Sequence, residues 1–282
     1  MSSLEVLPVK IKIPEQDDLN PVLPPHAFLM GIIAPPRSGK TNLIMNLLLN
    51  DQFYYNKKKA PYSYFDEVMY LSPTQIFDKT CCEMLPKLEN LIQISDPDEL
   101  VMADTILNQI TKEQAEAEPE DRKKLLVIMD DMVGIIDKLP KLQQIATKFR
   151  HYSLSIILVS QSYRKIPSVI RNCFTCMIVF DLKNEKEFMK ISDEFTGSIP
   201  NSERLIQQIV NKRYDFFYFN IERQQLYHNF HTLMWSRDES EMQKAGGNSP
   251  AASASPNSSP PPSPKAPRII NRRKQIKNNY PL

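Results

Sequence analysis

Ala34-Pro35-Pro36-Arg37-Ser38-Gly39-Lys40-Thr41 lies between an apolar run and an amphipathic one. The apolar run, Phe28 to Ala34, has the length of a buried strand. The segment after it, Gly39 to Asn50, places Leu43, Ile44, Leu47 and Leu48 at helical spacing. Strand, loop and helix with Gly-Lys-Thr at the junction match the pattern G-x-x-x-x-G-K-[ST], except that Ala34 stands at the first glycine position. The chemistry needs these residue types. Backbone N–H groups of Ser38 to Thr41, gathered at a helix N-terminus, bind phosphate oxygens. Gly39 lets the backbone approach closely, Lys40 brings positive charge to the β- and γ-phosphates, and the Thr41 hydroxyl is a ligand for Mg²⁺. The candidate nucleotide-binding residues are therefore Pro36, Arg37, Ser38, Gly39, Lys40, Thr41 and Asn42, with ATP and Mg²⁺ as the expected ligands.

Further along, Leu125-Leu126-Val127-Ile128-Met129-Asp130-Asp131 is an apolar strand that ends in two acids, ninety residues after Lys40. Ligands sit at the carboxyl ends of strands in parallel sheets. Asp130 is thus placed to hold Mg²⁺, and Asp131 to orient and deprotonate an attacking water. A third apolar strand, Ser155 to Val159, leads to Gln161. If that strand lies between the lysine-loop strand and the Asp130 strand, the Gln161 amide reaches toward a γ-phosphate. Strands also fall at Val68 to Leu71, Leu91 to Ile94 and Met177 to Phe180, and helices at Asp98 to Ala117, Ile135 to Arg150, Glu185 to Phe195 and Ser202 to Lys212. Tyr214 to Asn220 and Leu226 to His231 read as a closing hairpin around Glu222-Arg223-Gln224. Strands alternating with helices imply crossover connections and a mostly parallel sheet with flanking helices; with the lysine loop this resembles an α/β P-loop NTPase of the RecA-like kind.

Composition bounds the rest. The chain has 282 residues, enough for one large domain with tails. It divides into an arm at 1–26, in which Val6 to Ile13 alternates like an added strand, an ATPase domain at 27–235 and a tail at 236–282. The Ser/Pro-rich stretch 246–267 cannot bury a core and is expected to be disordered. The net charge of +2 conceals an asymmetry: Met242 to Leu282 holds seven Lys or Arg and no acid, leaving the remainder 28 basic against 33 acidic residues. The basic end is either a tether to phosphate backbones or a solubilising or nuclear-import segment. Cys81, Cys82, Cys173 and Cys176 read as buried free thiols rather than a zinc site, because adjacent cysteines are poor joint ligands of a tetrahedral ion. No apolar run is long enough to span a membrane and no signal peptide opens the chain, so it is expected not to be secreted but to be cytosolic or nuclear.

The order of these features resembles the FtsK/HerA class of DNA-translocating ATPases: lysine loop, Asp-Asp strand, Arg150-His151 before a strand, Gln161 at its end, then Ile166-Pro167-Ser168-Val169-Ile170-Arg171-Asn172. Within that class the chain is similar to the genome-packaging ATPases of large double-stranded DNA viruses, which carry two Asp at the strand end. The Phe65 to Val68 strand running into Ser72-Pro73-Thr74 is part of the likeness, which covers about residues 25 to 235. The resemblance implies a homo-oligomeric ring on double-stranded DNA, a capsid or portal partner, and a place in the host cytoplasm (virus factory) or virion. It also implies an arginine reaching the neighbour's ATP, with Arg150 the first candidate by matched position and Arg171 the second. A nucleotide kinase would need an arginine-rich lid, which is missing between Asp131 and Phe180. A GTPase would need Asn-Lys-x-Asp, and Asn56-Lys57-Lys58-Lys59 lacks the Asp. A helicase-like relative and a scaffold that binds ATP without turnover remain open on these residues.

Overall fold

A computed structural model describes residues 19–238, apart from 56–62, 97–98, Val101, Val133, Ser198, Pro200 and Asn211. The alternating stretch Val6 to Ile13, the basic tail and Asn56 to Lys59 lie outside the described residues. One nine-stranded sheet organises the rest. Its strands in chain order are β1 (Leu29–Ile33), β2 (Glu67–Leu71), β3 (Leu91–Ile94), β4 (Leu125–Asp130), β5 (Leu154–Ser160), β6 (Cys176–Phe180), β7 (Phe216–Asn220), β8 (Gln225–His228) and β9 (Thr232–Ser236). They lie side by side as β3-β2-β4-β5-β1-β6-β7-β8-β9. The first six neighbours are parallel and the last three strands antiparallel.

Every residue of β1, β4, β5 and β6 is buried, which is why these strands read as unbroken apolar runs. The pleat then sorts them by parity. Leu126 and Ile128 of β4 face the side covered by α1 (Lys40–Leu49) and α2 (Lys79–Met84), with Tyr70, Ile32 and Val159. Leu125, Val127 and Met129 face the other side. That side is covered by α3 (Ala103–Glu116), α4 (Pro140–Ala146), α5 (Ser168–Arg171), α6 (Glu185–Ile191) and α7 (Ser202–Ile209). Gly31, at the centre of β1, makes room for the Phe174 ring; a Cβ there would lie 2.8 Å from two ring carbons.

Three expectations change. The helix expected over Ile135 to Arg150 is two 3₁₀ turns around the short α4. Pro140 opens α4, and the chain leaves the second turn through Ser153 at φ 48°. The helix from Glu185 keeps its length, but its last five residues, Ser192–Thr196, widen into a π turn. The hairpin does not end at His231. Asn229, at φ 52°, turns the chain and its Oδ1 accepts from the Phe216 N–H at 3.1 Å, and β9 follows as a third antiparallel strand. The four cysteines are free; Cys81 and Cys176 are buried, Cys173 half-buried and Cys82 exposed.

Part of the N-terminal arm is built into the body. Leu23 is buried against the α1 face, and Tyr54 and Tyr218 donate to the Pro24 and Val22 carbonyls at 2.8 and 3.0 Å. His26 sits beside the start of β5, with Nδ1 2.7 Å from Ser155 Oγ and Nε2 2.9 Å from Ser153 Oγ. Burial pulls its pKa down from 6.5 to about 4, and Lys124 works in the same direction. The folded protein thus holds His26 neutral while the unfolded chain protonates it first, so stability from this group is complete above about pH 6.5 and is lost as pH falls toward about 4. Chemical denaturation at pH 7 and pH 4.5 should differ by roughly 1–3 kcal/mol from this source. His26→Gln should flatten that difference.

Candidate nucleotide site

The phosphate loop leaves β1 at the sheet's carboxyl edge. The ladder continues one step past the strand, the Ala34 N–H donating to the Ser160 carbonyl at 3.0 Å. Ala34 is fully buried and has an ordinary negative φ; the left-handed positions of the loop are Arg37 (φ 62°) and Gly39 (φ 97°). A methyl group is therefore accommodated where the usual pattern has its first glycine, and the loop's strict glycine is Gly39. The Tyr214 ring lies beside Gly39, 3.1 Å from where a Cβ would stand. Lys40 opens α1, whose first turn holds no acid. The first N–H groups of a helix have no partner within it, so this terminus keeps its donors and positive dipole end for an anion.

Parity brings the strand-end acid to the same place. Asp130 follows Leu126 and Ile128 on the α1 face and is 4% exposed. The Tyr70 hydroxyl donates to Asp130 Oδ2 at 2.9 Å from β2. Asp131 would point to the opposite face if the strand went on. Instead its φ of 56° turns the chain, and its carboxylate meets Lys40 and Gln161. Gln161 Nε2 donates to Asp131 Oδ1 at 3.1 Å, because β5 lies between β1 and β4. The Lys40 ammonium sits among these groups, 3.2 Å from Asp130 Oδ1 and paired with Asp131 Oδ2. Ser38 Oγ is buried with no hydrogen-bond partner among the described residues, and the buried Lys40 Nζ and Asp130 Oδ1 are satisfied only through this ion-pair cluster.

These buried atoms test the fit of the expected ligands. A serine hydroxyl and an ammonium match phosphate oxygens. A buried carboxylate oxygen with a nearby threonine hydroxyl matches Mg²⁺, which needs one or two protein oxygens and takes the rest from water and phosphate. Burial pushes the Asp130 carboxyl up from its ordinary range, the Asp131 charge adds to this, and Lys40 opposes it. A cation beside Asp130 would remove the cost of that buried charge. The Thr41 hydroxyl donates to Asp78 Oδ2 at 3.0 Å.

The structure thus gathers Ser38, Gly39, Lys40, Thr41, Asp130, Asp131 and Gln161, while Pro36, Arg37 and Asn42 lie exposed along the loop and first turn. It does not bring the two arginines there. Arg150 precedes β5 and Gln161 follows it, so the strand's seven residues separate them by about 23 Å. Its side chain is 60% exposed and paired with Glu222. Arg171 is drawn inward: its side chain is 11% exposed, it lies 3.4 Å from Glu194, and it stacks 4.7 Å over the Tyr163 ring. That guanidinium serves the fold, so Arg171 does not suit the role of a finger reaching a neighbour. Tyr70 and Asp78 belong to the site and carried no motif. Only the position of Asp78 before Lys79 to Met84, as a helix N-cap, was available as a signal.

A lysine loop on β1, an acid on β4 and a polar strand end between them define a P-loop ATPase of the RecA-like class. The chain belongs to the poxvirus A32 protein family, whose pattern it matches over residues 20–214. No curated protein matches it. Among solved structures it is similar to B204, the DNA-packaging ATPase from Sulfolobus turreted icosahedral virus, at 15% identity and TM-score 0.53, over 71% of this chain and 96% of that one. The genome-packaging NTPase B204 from Sulfolobus turreted icosahedral virus 2, in complex with sulfate, gives 12% identity and TM-score 0.52, over 72% and 95%. No helix among the described residues is long and apolar enough to cross a membrane.

Gly39 gives the sharpest test of the loop. Gly39→Ala forces a side chain into left-handed backbone and against Tyr214. It should cost about 1–2 kcal/mol of stability and weaken pyrophosphate binding at least about tenfold, read by calorimetry on protein shown to be folded by its melting curve.

Proposed function

We propose that this chain is the ATP-hydrolysing subunit of a motor that moves double-stranded DNA into a viral capsid. The convergence of Lys40, Asp130, Asp131 and Gln161 on one rim of the sheet carries the reading. Membership of the poxvirus A32 family and likeness in fold to packaging ATPases support DNA packaging as the work done.

The loop N–H groups and Lys40 hold the phosphates, and Thr41 with Asp130 would hold Mg²⁺. Mg²⁺, when bound, neutralises charge on the β- and γ-phosphates. Lys40 now pairs with Asp131. Triphosphate oxygens carry more negative charge than one carboxylate, so nucleotide draws Lys40 away and leaves Asp131 free to accept a proton. Gln161 remains bonded to Asp131 and orients the water. The water oxygen attacks the γ-phosphorus, its proton passes to Asp131, and the bond from that phosphorus to the ADP oxygen breaks. Arg150, exposed and a strand's length away from its own Gln161, is available to a neighbour's nucleotide in a homo-oligomeric ring. We place the ATPase body at 27–235, with the Leu19–His26 segment packed onto it and the basic tail available for phosphate backbones or a capsid or portal protein.

The assay is steady-state phosphate release with and without double-stranded DNA. Hydrolysis should rise with DNA and vanish in Lys40→Ala. Asp131→Asn should bind ATP and hydrolyse it about 10²–10⁴-fold more slowly. Arg150→Ala should lose about 10³-fold or more, with activity partly restored when mixed with Lys40→Ala subunits. Turnover in assembled protein that is indifferent to DNA would end the motor reading.

A further inference from the structure

Asp78 occupies a place that no motif assigns. It lies between the 3₁₀ turn Gln75–Phe77 and α2, beyond the carboxyl end of β2. Its two oxygens do different things. Oδ1 accepts from the Thr80 and Cys81 N–H groups at 2.8 and 3.2 Å and caps α2. Oδ2 accepts from the Thr41 hydroxyl at 3.0 Å. A hydroxyl has one hydrogen and two lone pairs. With its hydrogen committed to Asp78, Thr41 cannot donate to Asp130, whose own oxygens face Tyr70 and Lys40. The Thr41 lone pairs are then turned away from Asp78 and open to a cation.

We infer that Asp78 is a positioning residue of the metal site, fixing the Thr41 hydroxyl with its lone pairs toward Mg²⁺ and adding a negative charge behind that ligand. The inference rests on the ATP and Mg²⁺ reading above. Partners that orient a metal ligand typically change metal affinity about 10–100-fold when removed. The helix cap holds the carboxylate in place, so its orientation is set by the fold before any cation arrives.

Asp78→Ser separates the two duties. Serine caps a helix as well as aspartate does, but its oxygen sits one bond nearer the backbone than Asp78 Oδ2, so it reaches the α2 N–H groups and falls short of Thr41. The measurement is a MgCl₂ titration of the full chain with a ribose-labelled fluorescent ATP analogue, beside the same analogue titrated in EDTA. In Asp78→Ser the Mg²⁺ concentration at half-saturation should rise about tenfold or more, with affinity in EDTA and melting temperature unchanged. Asp78→Asn keeps the cap but puts an amide N–H₂ donor where Oδ2 accepted from Thr41, so it loses both the charge and that acceptor and should raise the half-saturating Mg²⁺ concentration in the same direction as the serine variant. It carries the test if the serine variant fails to fold. Wild-type Mg²⁺ dependence in both variants overturns the inference. So does an equal loss of affinity in EDTA, which would place Asp78 in the phosphate loop's general stability. Wild-type protein that binds no nucleotide under either condition refutes the ATP reading itself, a result seen without any variant.

Discussion

The strand that carries the lysine loop and the strand that carries the paired acids are not neighbours. β5 lies between them, so β1 and β4 are two sheet spacings, about 9.6 Å, apart. Only a long side chain bridges such a gap, and Lys40 does so from the first turn of α1. The gap is also room for a triphosphate, with Gln161 at its floor where β5 ends. Move β5 elsewhere and the same residues would make a surface ion pair with nothing between them. The site is thus a consequence of strand order, and strand order rests on the burial of β5 along its whole length.

Burial on both faces explains why the parallel half of the fold was legible. β4 and β5 are buried at every position and mostly apolar, and such a run ending abruptly in Asp130 or Gln161 reads as a strand reaching its edge. Parity did the next part: Asp130 shares a face with Leu126 and Ile128, and that face carries α1. Asp131 was legible as an acid but not as a partner of Lys40, because that contact depends on a left-handed turn at Asp131 itself, which no side-chain pattern announces. β9 was missed because Thr232 is exposed, Leu233 to Trp235 are only half-buried, and the strand runs straight into polar chain.

Tyr70 and Asp78 mark the other limit. Each reaches the site from an element chosen by the fold: Tyr70 from β2 by parity, Asp78 from a helix cap. Their bonds cross 60 and 37 positions of chain, to Asp130 and Thr41 respectively. Local spacing carries no trace of such contacts. The two arginines illustrate the same point in reverse. Arg150 and Arg171 are both basic residues ahead of strands, ranked only by the resemblance, and packing is what separates them physically. Tyr163 and Glu194 claim Arg171, whereas Arg150 is left at the rim with an exposed partner.

β5 has a mechanical character that follows from its burial. It is hydrogen-bonded to β1 on one side and β4 on the other, packed on both faces, and ends in Gln161 at one rim and the turn bearing Arg150 at the opposite one. A close-packed interior has low compressibility. The strand is therefore a strut. It fixes the distance between the two rims, and because its ladders tie it to both neighbours it can move only if β1 and β4 move with it.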